Sequence, residues 1–471
     1  TDPLIQYARR SWFIRTTREI SRVIDNNAQV HWVPDHIKDG RFGSFLRSNV
    51  DWALSRERFW GTPLPIWVND ETGKMQAVSS AAEILKKNPD AFRAFEAAQK
   101  QDPTLSEHLM VHKPWIDDVT WQEPGEPGTY RRVPEVIDCW FDSGCMPFAQ
   151  WGYPHQNRAE FERYFPAEFI TEAVDQTRGW FYSLMAVSTL MFPDQKQPHP
   201  FEHCVVLGHI TDEKGQKLSK SKKNYTDPML MMEAHGGDAV RWALYTGTVP
   251  GQGTRFSDNS VIEALREFVL KLWNVHSFFV TYANIDGWTP ASPRPAFAAR
   301  SDMDRYILAE LNETVRAVCT SLDAYESHRA ARALTDFAEA LSNWYVRRSR
   351  ARFWAQGDNA DKASAFATLY EVLVDFAKLS APFVPFMAEA LYQNLVRTQD
   401  EKAPKSVHLS TFPSHVEERA EKPLLAAMQA TRTAVTLGQR VRAERKLKVR
   451  QPLAEAIVAV ASAEERERIE R

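Results

Sequence analysis

Glu168-Phe-Ile-Thr-Glu-Ala-Val-Asp-Gln-Thr-Arg-Gly-Trp-Phe-Tyr-Ser-Leu-Met-Ala-Val-Ser-Thr-Leu-Met-Phe192, followed closely by Phe201-Glu-His-Cys-Val-Val-Leu207, is the stretch that decides the fold. Its two ends, Glu168–Thr171 and Phe201–Leu207, carry the β-branched and aromatic side chains of strands. Between them Val174 to Phe192 reads as an apolar helix, with Trp180, Leu184, Val187 and Met191 recurring every three or four residues. Strand, helix, strand is the unit of a parallel sheet, in which ligands sit at the carboxyl ends of the strands. The first strand runs into Glu172, Asp175 and Gln176, and the second into a lysine-rich loop. Both segments therefore fall where a ligand is held.

Working outward, residues from about Lys74 to Arg132 lose this pattern. A polar helix around Ala81 to Lys100 and the turn-rich Gln122-Glu-Pro-Gly-Glu-Pro-Gly128 read as an insertion into the sheet. After Phe256 the chain becomes helix after helix. Ser301-Asp-Met-Asp304 reads as a capping box, with the Ser bonding an exposed backbone N–H and Asp304 reaching back. Ile307, Leu308, Leu311, Val315, Val318 and Leu322 then form one apolar face. The expected fold is a partial α/β Rossmann-like parallel-sheet portion over residues 1–255 with an insertion at about 70–132, then an all-α bundle. A connecting helical segment covers 256–300, the bundle 301–430, and a basic junction region 431–471.

With 471 residues, 44% of them hydrophobic and 25% charged, the composition is that of a folded chain of two or three domains. No apolar run reaches the roughly 18 residues of a membrane span. The net charge of −3 excludes a uniformly basic surface and leaves room for local basic patches. Cys139, Cys145, Cys204 and Cys319 form no CxxC pair, so the expectation is a reducing, cytoplasmic setting and no dedicated metal site.

Six segments are candidates for chemistry or binding. In Lys217-Leu-Ser-Lys-Ser221, preceded by Gly208 to Gly215, two lysines beside hydroxyls can wrap a triphosphate; a solvated lysine turn is the plainer account. Glu172 to Trp180 sets carboxylates and an amide beside an aromatic, which suits a ligand with an ammonium group and an apolar side chain; helix capping explains Glu172 or Asp175 without the rest. Trp140 stands in Val136-Ile-Asp-Cys-Trp-Phe-Asp-Ser-Gly144, most of which a buried strand ending in an Asp-Ser-Gly turn would explain. In Trp52 to Gly61, Arg56 and Arg58 are either phosphate contacts or surface ion pairs. Asn343 to Trp354 interleaves Arg347, Arg348, Arg350 and Arg352 with Trp344 and other aromatics, a pattern for RNA backbone and unpaired bases or for a solvated face. Arg440 to Arg450 adds six basic residues against one acidic.

In this order the segments resemble one family. Lys217–Ser221 looks like the lysine signature loop of class I aminoacyl-tRNA synthetases, with Leu218 for the commoner Met. Trp52–Gly61, Trp140–Gly144, Asp175–Phe181, Asn343–Trp354, Ala381–Phe386, Val407–Pro413 and Leu447–Leu453 resemble the isoleucyl branch, and valyl or leucyl relatives are the nearest alternatives. The resemblance implies ATP-dependent activation of isoleucine followed by transfer to tRNA, with Mg²⁺ accompanying ATP. It implies that Lys217, Ser219 and Lys220 act on the phosphates, that Glu172 and Gln176 hold the adenylate, and that Asp175 holds the amino group. Trp140 and Trp180 would wall the isoleucine side chain, and Trp344, Arg347, Arg348, Arg350 and Arg352 would meet tRNA. The family's His-x-Gly-His signature, its valine-hydrolysing inserted domain and the terminal zinc module of some relatives are not in this sequence; Leu207-Gly-His-Ile210 stands in the wrong place for the first. The expectation is thus a monomeric, carboxyl-side portion, incomplete for catalysis alone. A non-catalytic tRNA-binding module is the alternative of another class.

Overall fold

The computed structural model describes residues 9–192, 194, 198–219, 224–357 and 359–470. It divides into two compact units, Thr1–Leu207 and Gly208–Arg471.

In the first unit a three-stranded parallel sheet runs in the order Ala167–Ala173, Phe201–Leu207, His31–Val33, with Ile170 opposite Cys204 and Cys204 opposite Trp32. The two strands read from sequence are present and paired. The helix between them is shorter than its apolar pattern: Val174–Arg178 is a 3₁₀ turn, and the α-helix runs Trp180–Met191. The Gln176 side chain explains the later start, because its Oε1 accepts the Trp180 N–H at 3.0 Å and caps the helix there. Trp32, Phe42, Phe181, Leu184, Met185, Phe201 and Cys204 fill the space between helices and sheet.

The insertion is a four-stranded antiparallel sheet in the order Met75–Ala77, Ile66–Asn69, Tyr130–Arg132, Thr120–Trp121. It begins a few residues before the expected position 70 and has its own core of Trp67, Ile84, Phe92, Ile116, Trp121 and Tyr130. The single polar helix expected from Ala81 to Lys100 is two helices, Ala81–Lys87 and Arg93–Gln101. Pro89 cannot continue a helix, and Asn88 fixes the break by donating to Thr120 O at 2.8 Å.

The second unit is mostly helical around a large core, with a smaller apolar cluster of Ala381, Ala388, Tyr392 and Val407 beside it. Its long helices are Leu270–Asp286, Asp302–Asp323, Ser327–Glu339, Ala360–Ser380 and Lys422–Glu444. The apolar face read from sequence is buried from Ile307 to Val318, and Leu322 packs at its margin. The capping box is half present. Ser301 accepts the Asp304 N–H, whereas the Asp304 carboxylate turns inward and takes Arg352, Tyr345 and Ser364 as donors. The segment Gly208–Arg255, read from sequence as part of the sheet portion, groups with the helices. The reason is the helix Gly237–Gly247: its Trp242 stacks on Phe268 at 3.6 Å between ring centroids, and its Asp238 accepts the N–H groups of Phe386 and Met387 at the start of helix Pro385–Tyr392.

Candidate functional site

The site residues lie in both units, and each group is built locally. In the first unit the strand Ala167–Ala173 delivers Glu172 and Asp175 to its carboxyl end, both exposed. Gln176 works twice: besides capping the helix, its Nε2 donates to Asp175 Oδ2 at 3.0 Å and fixes the carboxylate's direction.

Trp140 arrives on the short helix Cys139–Gly144, whose N-cap is the buried Asp138, accepting the Trp140 N–H at 3.2 Å. Two glycines let this helix close on Trp180–Met191. A Cβ at Gly144 would stand 2.7 Å from Ser183 O, and one at Gly179 would stand 2.7 Å from Gln176 Oε1 and 3.1 Å from the Trp140 ring. Trp180 Nε1 donates to Ser143 O at 3.3 Å and ties the other side. Trp140, Gln176 and Trp180 thus meet around Gly179, with Asp175 bonded to Gln176 beside them.

Arg56 resolves in favour of an ion pair. Its Nη2 donates to Asp138 Oδ2 at 2.7 Å, and Trp52 Nε1 donates to the same oxygen at 3.1 Å, so the pair holds the cap under Trp140. Arg58 stays exposed. Next to Trp140, burial raises the Asp142 carboxyl above its ordinary range, partly offset by the Thr62 hydroxyl.

In the second unit, Asp212 opens the turn that leads to the lysine loop, accepting the N–H groups of Lys214 and Gln216. Lys217 is exposed and Ser219 half-buried; Lys220 and Ser221 lie outside the described residues. A cavity of about 880 Å³ adjoins, lined among others by Asp212, Leu218, Asn224 and Phe256.

Further along, Arg347, Arg348 and Arg350 are exposed on the helix Arg347–Trp354. Arg348 and Arg432 stand over the Trp344 ring at 5.1 and 5.7 Å, an arrangement worth a modest cation–π attraction. Arg352, expected from the sequence to meet tRNA, differs from its neighbours by being paired within the protein. Its guanidinium is bidentate to the fully buried Asp304, at 2.8 and 2.7 Å, and also donates to Asp361 at 3.0 and 2.9 Å. It is a structural cation, with its donors spent on buried Asp304 and on Asp361. Sequence reasoning missed Asp138, Asn224 and Arg432 and read Asp304 only as a helix cap, although its phase with a buried face signalled more. Among the described residues no group of three or more His, Cys, Asp or Glu is placed to hold a metal ion, and no helix is long and apolar enough to cross a membrane.

Residues 2–257 match the family model of tRNA synthetases class I (I, L, M and V). The chain belongs to this family. Residues 304–458 match a second model, the anticodon-binding domain of tRNA ligase. Among curated relatives, the isoleucine–tRNA ligase of Dehalococcoides mccartyi (strain ATCC BAA-2266) is 47% identical over 471 residues, covering 98% of this chain and 44% of that protein. Those of Deinococcus radiodurans and Thermus thermophilus are 46% and 45% identical, covering 98% and 100% of this chain and 41% and 43% of theirs. The chain therefore spans less than half the length of these relatives. Solved structures share the fold. A ternary complex of Agrobacterium radiobacter K84 LeuRS with tRNA and LeuAMS aligns with TM-score 0.58 at 18% identity, covering 82% of this chain and 46% of that one. Mycobacterium tuberculosis methionyl-tRNA synthetase with methionyl-adenylate aligns with TM-score 0.57 at 20% identity, covering 85% and 69%.

Proposed function

We propose that this chain supplies the adenylate-binding carboxyl-side part and the tRNA-binding bundle of an isoleucine–tRNA ligase. The observation that carries the reading is the meeting of Trp140, Gln176 and Trp180 around Gly179, with Asp175 bonded to Gln176 beside them, in a chain 45–47% identical to relatives of that name.

The reaction has two displacements. The isoleucine carboxylate attacks the α-phosphorus of ATP, forming the acyl-adenylate as the bond to pyrophosphate breaks. A terminal tRNA hydroxyl then attacks the acyl carbon, and AMP leaves. The first step needs positioning and charge neutralisation more than covalent help. Asp175, held by Gln176, pairs with the substrate ammonium, and Trp140 and Trp180 enclose the branched side chain. Glu172 and Gln176 meet the adenylate. Lys217, Ser219 and Lys220 neutralise and hydrogen-bond the phosphates, with Mg²⁺ arriving as part of the ATP substrate. Arg347, Arg348 and Arg350 run along the tRNA backbone, and Trp344, flanked by two guanidinium groups, offers a stacking face.

The test is binding of the 471-residue chain to isoleucine, valine, leucine and unrelated tRNAs at one fixed salt concentration, since phosphate contacts make affinity salt-dependent. Preference for the isoleucine tRNA by about tenfold, equivalent to ~1.4 kcal/mol, is the expected outcome. Equal affinity for all four refutes the isoleucine assignment and leaves a general RNA-binding module.

A further inference from the structure

We propose that Asn224 is the positioning residue of the lysine loop, tying the backbone at Lys217 and Ser219 to the Asp212 carboxylate and so setting where these two residues meet a triphosphate. The inference rests on the reading of this loop as phosphate-binding and adds to it the group that holds it in place.

The Asn224 amide is used completely. Its Oδ1 accepts the Ser219 N–H at 3.0 Å, while Nδ2 donates to Lys217 O at 3.2 Å and to Asp212 Oδ2 at 2.8 Å. The other Asp212 oxygen is already taken by the N–H groups of Lys214 and Gln216, at 3.0 and 2.7 Å. Asp212 is therefore anchored to the turn before the loop, in which Gly215 takes the left-handed φ of +76°. Thr211 and Lys217 pair as an isolated bridge across the same turn. One carboxamide thus joins the two sides of the segment, with each hydrogen-bonding position matched to a partner.

Only a carboxamide of this length offers two donor hydrogens and an acceptor here. Aspartate keeps an acceptor for Ser219 N–H but turns an anion toward Asp212 and an oxygen toward Lys217 O. Alanine leaves all three partners to water. Neither Lys217 nor Ser219 is touched by such changes, so their effect reaches phosphate only through the backbone that carries them.

The experiment uses the full chain as wild type, Asn224→Asp, and the exchanged pair Asp212→Asn with Asn224→Asp. Asparagine at 212 can donate to aspartate at 224, which restores the side-chain bridge with its polarity reversed. Two quantities are read: the rate of tryptic cleavage after Lys217, and the concentration of magnesium ATP that halves that rate. Thermal melting by circular dichroism confirms that each variant is folded. Asn224→Asp is expected to be cleaved about tenfold faster and to need about tenfold more ATP for protection, the effect of one or two lost hydrogen bonds. The exchanged pair recovers most of both. Wild-type values for Asn224→Asp, or an exchanged pair no better than the single variant, overturn the role of Asn224. A wild-type chain that ATP does not protect overturns the phosphate-binding reading itself, whatever the cleavage contrast.

Discussion

Replacing Arg352 by alanine separates structure from RNA binding. Its side chain is 16% exposed and its partner Asp304 not at all, so solvent screening is weak where the two meet. Truncation removes two charge-assisted bonds to Asp304 and the Nε contacts to Asp361, and leaves Asp304 with the Tyr345 and Ser364 hydroxyls as its remaining side-chain donors. Asp361 is more than half exposed and is recovered by water, so the cost arises at Asp304. Breaking a buried pair by removing one partner costs ~3–5 kcal/mol, most of it the uncompensated charge left behind. Guanidinium denaturation followed by helical circular dichroism should show that loss for Arg352→Ala. Arg350→Ala, exposed on the same helix, should stay within about 0.5 kcal/mol of wild type. The tRNA measurements should run the other way: Arg350→Ala lowers the slope of log affinity against log salt by about one contact. A loss below about 1 kcal/mol for Arg352→Ala, accompanied by weakened tRNA binding like that of Arg350→Ala, would refute the assignment of Arg352 to the bundle's interior.

Three further outcomes follow from the geometry. Gly179→Ala places a methyl group 2.7 Å from Gln176 Oε1 and 3.1 Å from Trp140, so a shift costing ~1–3 kcal/mol is expected; a melting temperature equal to wild type would show that the Trp140 helix yields freely. Burial would raise the Asp304 carboxyl, but the Arg352, Tyr345 and Ser364 donors outweigh it and hold the group below its ordinary range. Its stabilisation is therefore complete above the unfolded value of about 3.9 and is lost as pH falls through the lower folded value, so denaturation midpoints at pH 3 and 4 should differ more for wild type than for Asp304→Asn. Burial pushes the Cys145 thiol up to about 11, helped by Asp142, and pushes Cys204 higher still, whereas Cys139 is exposed; at pH 8 iodoacetamide should label Cys139 in the native chain and Cys204 only after unfolding.

The parallel strands were legible because Cys204–Leu207, the second half of one of them, is apolar on both faces, as a covered strand must be. The insertion's sheet was not, since strands of two to four residues carry too few alternations to show a period, and its Trp67–Trp121–Tyr130 core comes from three separated segments. The site divides in the same way. Trp140, Asp175, Gln176 and Trp180 lie in two continuous motifs, and the structure needs only one helix contact to unite them. Asp138 and Asn224 were missed because each acts on backbone groups whose direction is set by folding, and an Asp before Cys-Trp or an Asn after four polar residues has no sequence period to betray it.

Arg352 shows what a finer reading of the same helix could have recovered. Over Tyr345 to Trp354 the buried positions are Tyr345, Val346, Ser349 and Phe353. Counted from Tyr345, positions four, seven and eight residues on share one face of an α-helix, and these are Ser349, Arg352 and Phe353. Arg347 and Arg350 fall two and five residues on, away from that face, and Arg348, three residues on, falls at its edge. An arginine in phase with Tyr and Phe needs a buried carboxylate, because an unpaired guanidinium cannot stay in a core. Asp304, three residues before Ile307 and four before Leu308, is an acidic residue in phase with such an apolar face. Two helical phases thus predict the pair and assign the outward arginines to solvent or RNA. The residue that would break this logic is Trp344: it adjoins Tyr345 in sequence yet remains half-exposed between Arg348 and Arg432, and the π-helical turn Ala340–Val346 that precedes the arginines is the irregularity that rotates it outward.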